Sequence, residues 1–510
     1  MTALTYKWDD FSGGDYGTLG PHEAQRTQVS GRNVRLLKDG SICPRPGLKE
    51  ATITSNVNGV VRGLHHIGLS GKALLIVVGD DVYSTSNDGS FTLTAVTPAL
   101  DAAATEYCPI AFYDPNGDVY LSSPGDATYV IDWTAGTLAK ITVAGADRGG
   151  RGIGLIRDRL YIGGDPDTGA AGYRVYYSDA AAFTTIGALN YFDVGYFWDV
   201  LAFMDVNNTI LMPKRNDGWW GLVGQTPSGT LRKLTADNGV RYDASGKQQS
   251  LVRERGKIWY FGPGHRLRVT DGSRFDIDEF AHIELRDKQY GVHLDEVEHT
   301  VYVSSTSNVG LIRSWGAWFH QSYGVTLSGP VCGNEFHSRA IMVGSDTVST
   351  PGRYWSLDLD LDRPAFTSDT YARPGDGSDT PLDAYFWLRP EFHEEARMMR
   401  VRKVVVEFRK WATGSTVANN ITAVVRTFGR RNESGGSQDS YGTETLVSWN
   451  EAGTQALTSG PYDRHEFSAG DQAWCSGFQL GFTDLRGVSI ARVIAYVDVD
   501  GTPSKGTPVR

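Results

Sequence analysis

The chain has 510 residues, with 60 Gly, 24 Tyr, 20 Phe and 13 Trp against 6 Met, and a formal net charge of −10. That length exceeds the ~250–300 residues one core usually reaches, so two domains are expected, and the wealth of turn formers and aromatics favours pleated sheet. The acidic balance excludes a chain that grips nucleic acid by bulk positive charge, and no apolar run reaches the ~18 residues that would cross a bilayer.

Residues 1–59 show a short apolar run, the turn pair Asp39-Gly40 and a Pro44-Arg45-Pro46-Gly47 block. The opening segment lacks the basic and then apolar pattern of a secretory leader, so a soluble product made in a cytoplasm is expected. Cys43, Cys108, Cys332 and Cys475 are too widely spaced for a close metal motif and read as reduced thiols. With so little apolar periodicity, residues 1–59 are expected to form an arm that lies on another surface, crossing to a neighbouring subunit. Pro44 and Pro46 would stiffen it and cannot donate to a ladder.

From about residue 60 to 369 a repeat emerges. Seven short apolar segments begin at Leu75, Val119, Leu160, Ile210, Ile258, Val301 and Ile341, at steps of 44, 41, 50, 48, 43 and 40 residues. Each is too short for a helix and most follow a polar turn, so they read as the second strands of hairpins. Partner segments upstream and downstream bring several units to four strands. A step of ~40–50 residues is that of a β-propeller blade, a unit that buries its two faces only by stacking around an axis. The expected fold class is therefore all-β: a propeller of about seven blades over 60–369. Six or eight blades are the alternatives, because the fourth unit is irregular.

Residues 370–383, rich in Gly, Pro and Asp, are expected to link two domains. Residues 384–502 then supply longer strands with polar connections, which fit a C-terminal antiparallel β-sandwich. Within them Val401, Val404, Val406 and Phe408 alternate imperfectly, so one strand face is not cleanly assigned. Residues 503–510 read as a loose tail.

The catalytic inventory is empty. The run from His393 to Arg397 begins like a zinc-binding helix motif but ends in Arg where the second imidazole belongs. The segment Ser86–Thr92 only approaches a sialidase hairpin motif, its Asp88 and Gly89 being adjacent. Asp114 to Asp118, and the alternating Asp358, Asp360 and Asp362, lack a full calcium loop. His65 and His66 are neighbours on a strand and point to opposite faces. No metal, no cofactor and no enzymatic activity are expected. Aromatic pairs Trp219 with Trp220 and Trp315 with Trp318 are candidate partner contacts, as Trp and Arg dominate binding hot spots; packing between blades is the alternative.

The N-terminal grammar resembles that of bacteriophage tail nozzle and tail-tube virion proteins of short-tailed phages. It comprises Phe11 to Gly14, Asn33 to Leu36, Gly40 and Arg45 to Gly47, and the late strand Phe478 to Phe482 is similar to the same family. The resemblance implies a virion tail subunit in a homo-oligomeric, hexameric ring, touching adaptor, portal and fibre proteins. DNA would pass its lumen without sequence-specific binding, and an acidic wall would repel rather than trap a polyanion. The interface candidates are then Arg35, Arg45, Pro46, Trp219, Trp220, Trp315 and Trp318. The alternatives are a receptor- or glycan-binding tail-tip protein and, further off, a propeller glycoside hydrolase.

Overall fold

The computed structural model describes residues 2–15, 27–45, 48–50, 60–69, 71–86, 92–113, 117–166, 172–224, 228–235, 239–240, 251–254, 257–262, 267–275, 277–278, 289–295, 300–305, 309–322, 331–334, 339–344, 353–357, 370–372, 379–381, 384–393, 397–410, 419–428, 442–445, 449–451, 463–469 and 474–503. Among them there is no helix; the protein is all-β, built of small antiparallel sheets.

The first sheet is a meander of Val61–Leu69, Lys72–Val78, Asp81–Ser86 and Leu93–Val96. The second runs Ile110–Tyr113, Asp118–Ser122, Thr128–Asp132 and Thr137–Val143, extended in parallel by Thr185–Ile186. The third holds Gly152–Ile156, Arg159–Gly163, Arg174–Tyr177 and Tyr191–Asp193, and the fourth Met204–Val206, Thr209–Lys214, Gly218–Val223 and Thr230–Lys233. Leu251–Glu254, Lys257–Phe261, Leu267–Thr270 and Ile277–Asp278 make the fifth. A sixth meander comprises Gln289–Asp295, Thr300–Ser305, Val309–Ser314 and Ala317–Ser322. Val331–Asn334, Arg339–Gly344 and Arg353–Leu357 form the seventh, whose fourth strand, Leu48–Glu50, arrives from the N-terminal region.

All seven repeat segments read from the sequence fall in the second strand of their sheet. The reason is burial on both faces: Leu74 to Val78 are each at most 3% exposed, and such a strand is a continuous apolar run rather than an alternation. Apolar clusters join the first sheet to the second, the second to the third, the third to the fourth and the fourth to the fifth. Val331–Asn334 of the seventh sheet lies beside both Gln289–Asp295 and Val61–Leu69, the first strand of the first sheet.

Beyond residue 383, Arg397–Lys410 pairs with Val488–Pro503 and Asp463–Ser468, while Gly477–Arg486 pairs with Asn419–Phe428 and Tyr385–Leu388. Their facing side chains share one core, including Val404, Val406, Phe408, Ala423, Val425, Phe478, Leu480, Val493 and Val497. The imperfect alternation of Arg397–Lys410 has a cause. Its register with Val488–Pro503 shifts between Val401 and Lys403, where Arg402 is the extra residue, so the inward set steps from Val401 to Val404, Val406 and Phe408. Within the expected linker, Thr370–Ala372 and Asp379–Pro381 pair with each other.

Residues 1–59 do not behave as the expected arm, and this corrects the sequence reading. Every described strand among them pairs inside the same chain. Thr2–Trp8 lies antiparallel to Val488–Pro503. Gln28–Arg32 sits between Ala317–Ser322 and Tyr385–Leu388, so the sixth meander continues through it into a C-terminal sheet. Val34–Leu36 and Ile42–Pro44 form a hairpin that reaches Ile490. A stretch too poor in apolar residues to fold alone thus finds its core on the C-terminal sheets, where Trp8, Phe11, Val29, Val34, Leu36 and Ile42 are buried.

Candidate functional site

Within each four-stranded meander, direction alternates. The connection entering the first strand, the turn between second and third, and the segment leaving the fourth therefore lie at one end. At that end of the second, third and fourth sheets an ion-pair lattice is built. Arg151, ahead of Gly152–Ile156, donates through Nε and Nη2 to both oxygens of Glu106 (2.7 Å each) and through Nη1 to Asp199 Oδ2 (2.6 Å). Asp199 also lies 3.8 Å from Arg215. Arg148 donates to Asp165 at 3.2 Å and stacks on the Tyr176 ring. Fork-shaped guanidinium contacts fix geometry as well as charge, so three consecutive sheets are stapled at this end. The opposite end has its own staple, Arg157, which reaches both oxygens of Asp205 and the carbonyl of Gly224.

Over this lattice runs the segment from Val194 to Val200. Lys214, fully buried, donates Nζ to the Val194 carbonyl at 2.6 Å and lies 3.2 Å from Asp217. Burial pushes the Lys214 ammonium below its ordinary range, against the pull of Asp217. Burial would raise Asp217, but its bonds from Lys233 and Lys214 outweigh it and hold that carboxyl below the usual range. Gly195 has φ +66°, and a Cβ there would stand 2.9 Å from the Trp220 ring, so only glycine lets the segment rest on that indole. The next three residues project outward: Tyr196 is 81%, Phe197 77% and Trp198 47% exposed. Trp198 holds φ +67°, a conformation that costs a bulky residue ~1–3 kcal/mol and persists only where the surroundings impose it. Backbone bonds Val194 N to Tyr173 O, Val200 N to Gly172 O and Arg215 N to Asp199 O impose it here, with the Arg215 guanidinium over the indole.

The residues expected to meet partners are placed otherwise. Arg35 is 3% exposed. Arg45 is fully buried and donates to Asn33 Oδ1 (3.2 Å) and the Ser322 carbonyl (2.8 Å). Trp219 is fully buried, edge-on to Tyr260 at 5.0 Å between the fourth and fifth sheets. Trp318, 4% exposed, meets Trp259 edge-on, with Arg313 stacked on both rings. Trp315 is half-buried against the C-terminal core. These are packing residues, which corrects the expectation of contact surfaces for Arg35, Arg45, Trp219 and Trp318. Trp220 is half-buried beneath Gly195 and supports the exposed aromatic segment. Pro46 lies outside the described residues, as do Asp358, Asp360, Asp362 and most of Ser86–Thr92, Asp114–Asp118 and His393–Arg397.

Chemically active groups are sparse. Among the described residues no group of three His, Cys, Asp or Glu side chains is placed to hold a metal ion. His65 is buried, with Nε2 2.8 Å from the Cys108 carbonyl, and burial lowers its pKa to about 4. Burial likewise pushes the Cys108 thiol up to about 12.

A second aromatic surface lies on the C-terminal half. In Gly477–Arg486 the side chains of Phe478, Leu480 and Phe482 enter the core, leaving Gly477, Gln479 and Gly481 on the outer face. A Cβ at Gly477 or Gly481 would strike the ring of Phe392 or Trp387 at 2.4 Å, so these rings lie flat on the glycines. The Phe428 ring lies tilted beside Phe392, centroids 5.6 Å apart, and Arg426 covers the Trp387 ring at 4.3 Å. Phe392 remains 38% exposed.

No family model and no curated protein matches the chain. Among solved structures, BamB from Moraxella catarrhalis is similar at a TM-score of 0.38 and 11% identity, over 63% of this chain and 95% of that one. The computationally designed Ika8 protein is similar at a TM-score of 0.39 and 10% identity, over 60% of this chain and 99% of its own. Likenesses this slight carry no weight for function.

Proposed function

We propose that this chain is a structural subunit of a bacteriophage tail, of the nozzle or tail-tube kind. In this reading the seven sheets close as a seven-bladed propeller, with Leu48–Glu50 completing the last blade, and the two C-terminal sheets form a sandwich. Several copies, six on the family resemblance, assemble as a ring whose lumen passes DNA, in contact with adaptor, portal and fibre proteins. The subunit carries no catalytic site.

One observation supports this reading above others: the residues that carry the family resemblance are the residues of the N-terminal seam. Phe11 is fully buried against Phe386. Gly14, at φ +68°, touches the backbone of Trp318. Asn33, at φ +59°, accepts from Arg45 Nε and from Ser322 N through Oδ1, and its own N–H donates to the His320 carbonyl. Gly40, at φ +80°, turns the hairpin that Arg45 leaves. A motif whose described residues serve chiefly to join two halves of a chain suits a protein whose task is architectural. The test is negative-stain imaging of the purified chain: class averages should show rings of six with a central lumen, and a uniform field of single subunits would refute the reading.

The glycan-binding alternative has one observation in its favour, the exposed Tyr196, Phe197 and Trp198. Sugar recognition also needs polar groups that converge on hydroxyls. Here Glu106, Arg151 and Asp199 are already bonded to one another.

A further inference from the structure

Cys108, in the segment entering the second sheet, is clamped by Val61–Leu69, the first strand of the first sheet. Its N–H donates to the Arg62 carbonyl at 2.8 Å, and its own carbonyl lies 2.8 Å from His65 Nε2. A carbonyl can only accept, so Nε2 carries the ring proton and Nδ1 keeps its lone pair. The Tyr107 hydroxyl donates to that lone pair at 3.4 Å. Just before the clamp Glu106 clasps Arg151, so the lattice of the second to fourth sheets is carried onto the first. The imidazole is buried and, among the described residues, bonds no carboxylate. Around the clamp stand Arg62 on the same strand, Glu106, and Asp126 in the second sheet, which accepts from the Tyr129 hydroxyl. His66 points to the opposite face. Lys72–Val78, paired with the first strand, brings only Lys72, whose Nζ donates to the Trp133 carbonyl, and the adjacent Val331–Asn334 brings only Cys332. An imidazolium here would be a buried charge without a direct partner.

We propose that this clamp is an acid-sensitive joint: protonation of His65 at Nδ1 releases the segment around Cys108 from the first strand while the rest of the chain stays folded. The added proton takes the lone pair that receives the Tyr107 hydroxyl, so the clamp loses that bond as it gains a buried charge. Burial holds the imidazole neutral down to about pH 4, against 6.5 when exposed, so opening takes up a proton. The joint is therefore fully closed above pH 6.5 and loosens as the pH falls towards 4. It belongs to a single copy of the chain and does not depend on ring assembly.

The test uses the full chain and the buried thiols as reporters. Cys108 reads the joint, while Cys43 and Cys475, buried by the C-terminal sheets, read wider unfolding. Dithiodipyridine, a reagent that modifies thiols in mild acid, is added, and each cysteine is followed by peptide mass spectrometry against a free-cysteine standard at the same pH. From about pH 6 to about pH 4 the opening constant at Cys108 should rise about 40-fold, the ratio set by 6.5 and about 4 for the free and buried imidazole. Cys108 should also react ahead of Cys43 and Cys475. His65→Gln, whose amide can still donate to the Cys108 carbonyl, should abolish the rise. Tyr107→Phe keeps the imidazole but deletes the donor to Nδ1, and should move the rise to higher pH; circular dichroism confirms that both variants fold. Three cysteines reacting at one common rate would mean that the whole chain opens together, which overturns the inference. A Cys108 rate indifferent to pH overturns it too, as does a rise that persists in His65→Gln or one that Tyr107→Phe does not shift.

Discussion

Gly14 and Gly40 offer a controlled comparison within the N-terminal seam, because both adopt left-handed backbone and only one is crowded. Alanine at Gly40, φ +80°, would meet nothing within 4 Å, so its cost is the backbone penalty alone, about 1–2 kcal/mol. Alanine at Gly14, φ +68°, would place its Cβ 2.7 Å from Trp318 N and 3.0 Å from Trp318 O, backbone atoms that cannot swing aside. Overpacking adds about 1–3 kcal/mol, for a total of about 2–5 kcal/mol. Hydrogen exchange of residues 28–36 reads the opening of the seam directly, through amides such as Asn33 N, bonded to the His320 carbonyl. Gly40→Ala should speed exchange there by about 5- to 30-fold, and Gly14→Ala by about 30- to 5000-fold. Equal acceleration in both variants would refute the claim that close approach to Trp318, rather than backbone strain, fixes the segment in place.

Other consequences follow from the lattice and from the buried histidine. Arg151→Met leaves Glu106 and Asp199, 16% and 14% exposed at their side chains, facing each other without their shared cation. Breaking such a buried arrangement costs about 3–5 kcal/mol, which a lowered urea midpoint should register; a variant as stable as wild type would show that the staple carries nothing. His65 is neutral in the folded state, its pKa held at about 4 by burial against 6.5 when free. The unfolded chain binds that proton first, so stability is full above pH 6.5 and falls as the pH drops towards 4, by about 3 kcal/mol in all. His65→Gln should flatten this part of the stability profile; a slope unchanged by the substitution would assign it to other groups.

Sequence spacing reveals the repeat because the second strand of each of the first five sheets is buried on both faces and so appears as an apolar run. The N-terminal region was opaque for the opposite reason. Its partners lie far along the chain, Thr2 with Val499 and the Leu36 amide with Ser314 Oγ, and no local pattern signals a pairing across such distances. The aromatic pairs misled through strand geometry. Trp219 and Trp220 occupy a strand, where alternation sends one indole inward and leaves the other over Lys214 and Lys233. Tyr196, Phe197 and Trp198 occupy a bend after Gly195, where no alternation operates and all three project. The available signal was an aromatic triplet beside glycine in a stretch without periodicity.

The seam also bears on how the two halves depend on each other. A boundary at 370–383 invites expression of residues 1–369 alone, yet the described strands contradict independence. Removing residues 370–510 would uncover Trp8, Phe11, Val29, Val34, Leu36 and Ile42, all buried in the core shared with the C-terminal sheets. Six such side chains at ~1.5–3 kcal/mol each amount to roughly 9–18 kcal/mol, as large as the whole stability of an ordinary domain. Leu48–Glu50 would still have Arg353–Leu357 to pair with, but the chain leading to it would be unanchored. Residues 1–369 are therefore expected to aggregate or to bind the dye ANS strongly, whereas the full chain should not. Residues 51–369 lack the exposed apolar segment but also the strand that completes the seventh sheet, so they should be soluble and exchange fastest at Arg353–Leu357. A well-folded, dye-silent 1–369 fragment would mean that the N-terminal segment finds its core within the repeat region, and that the seam is not what holds the halves together.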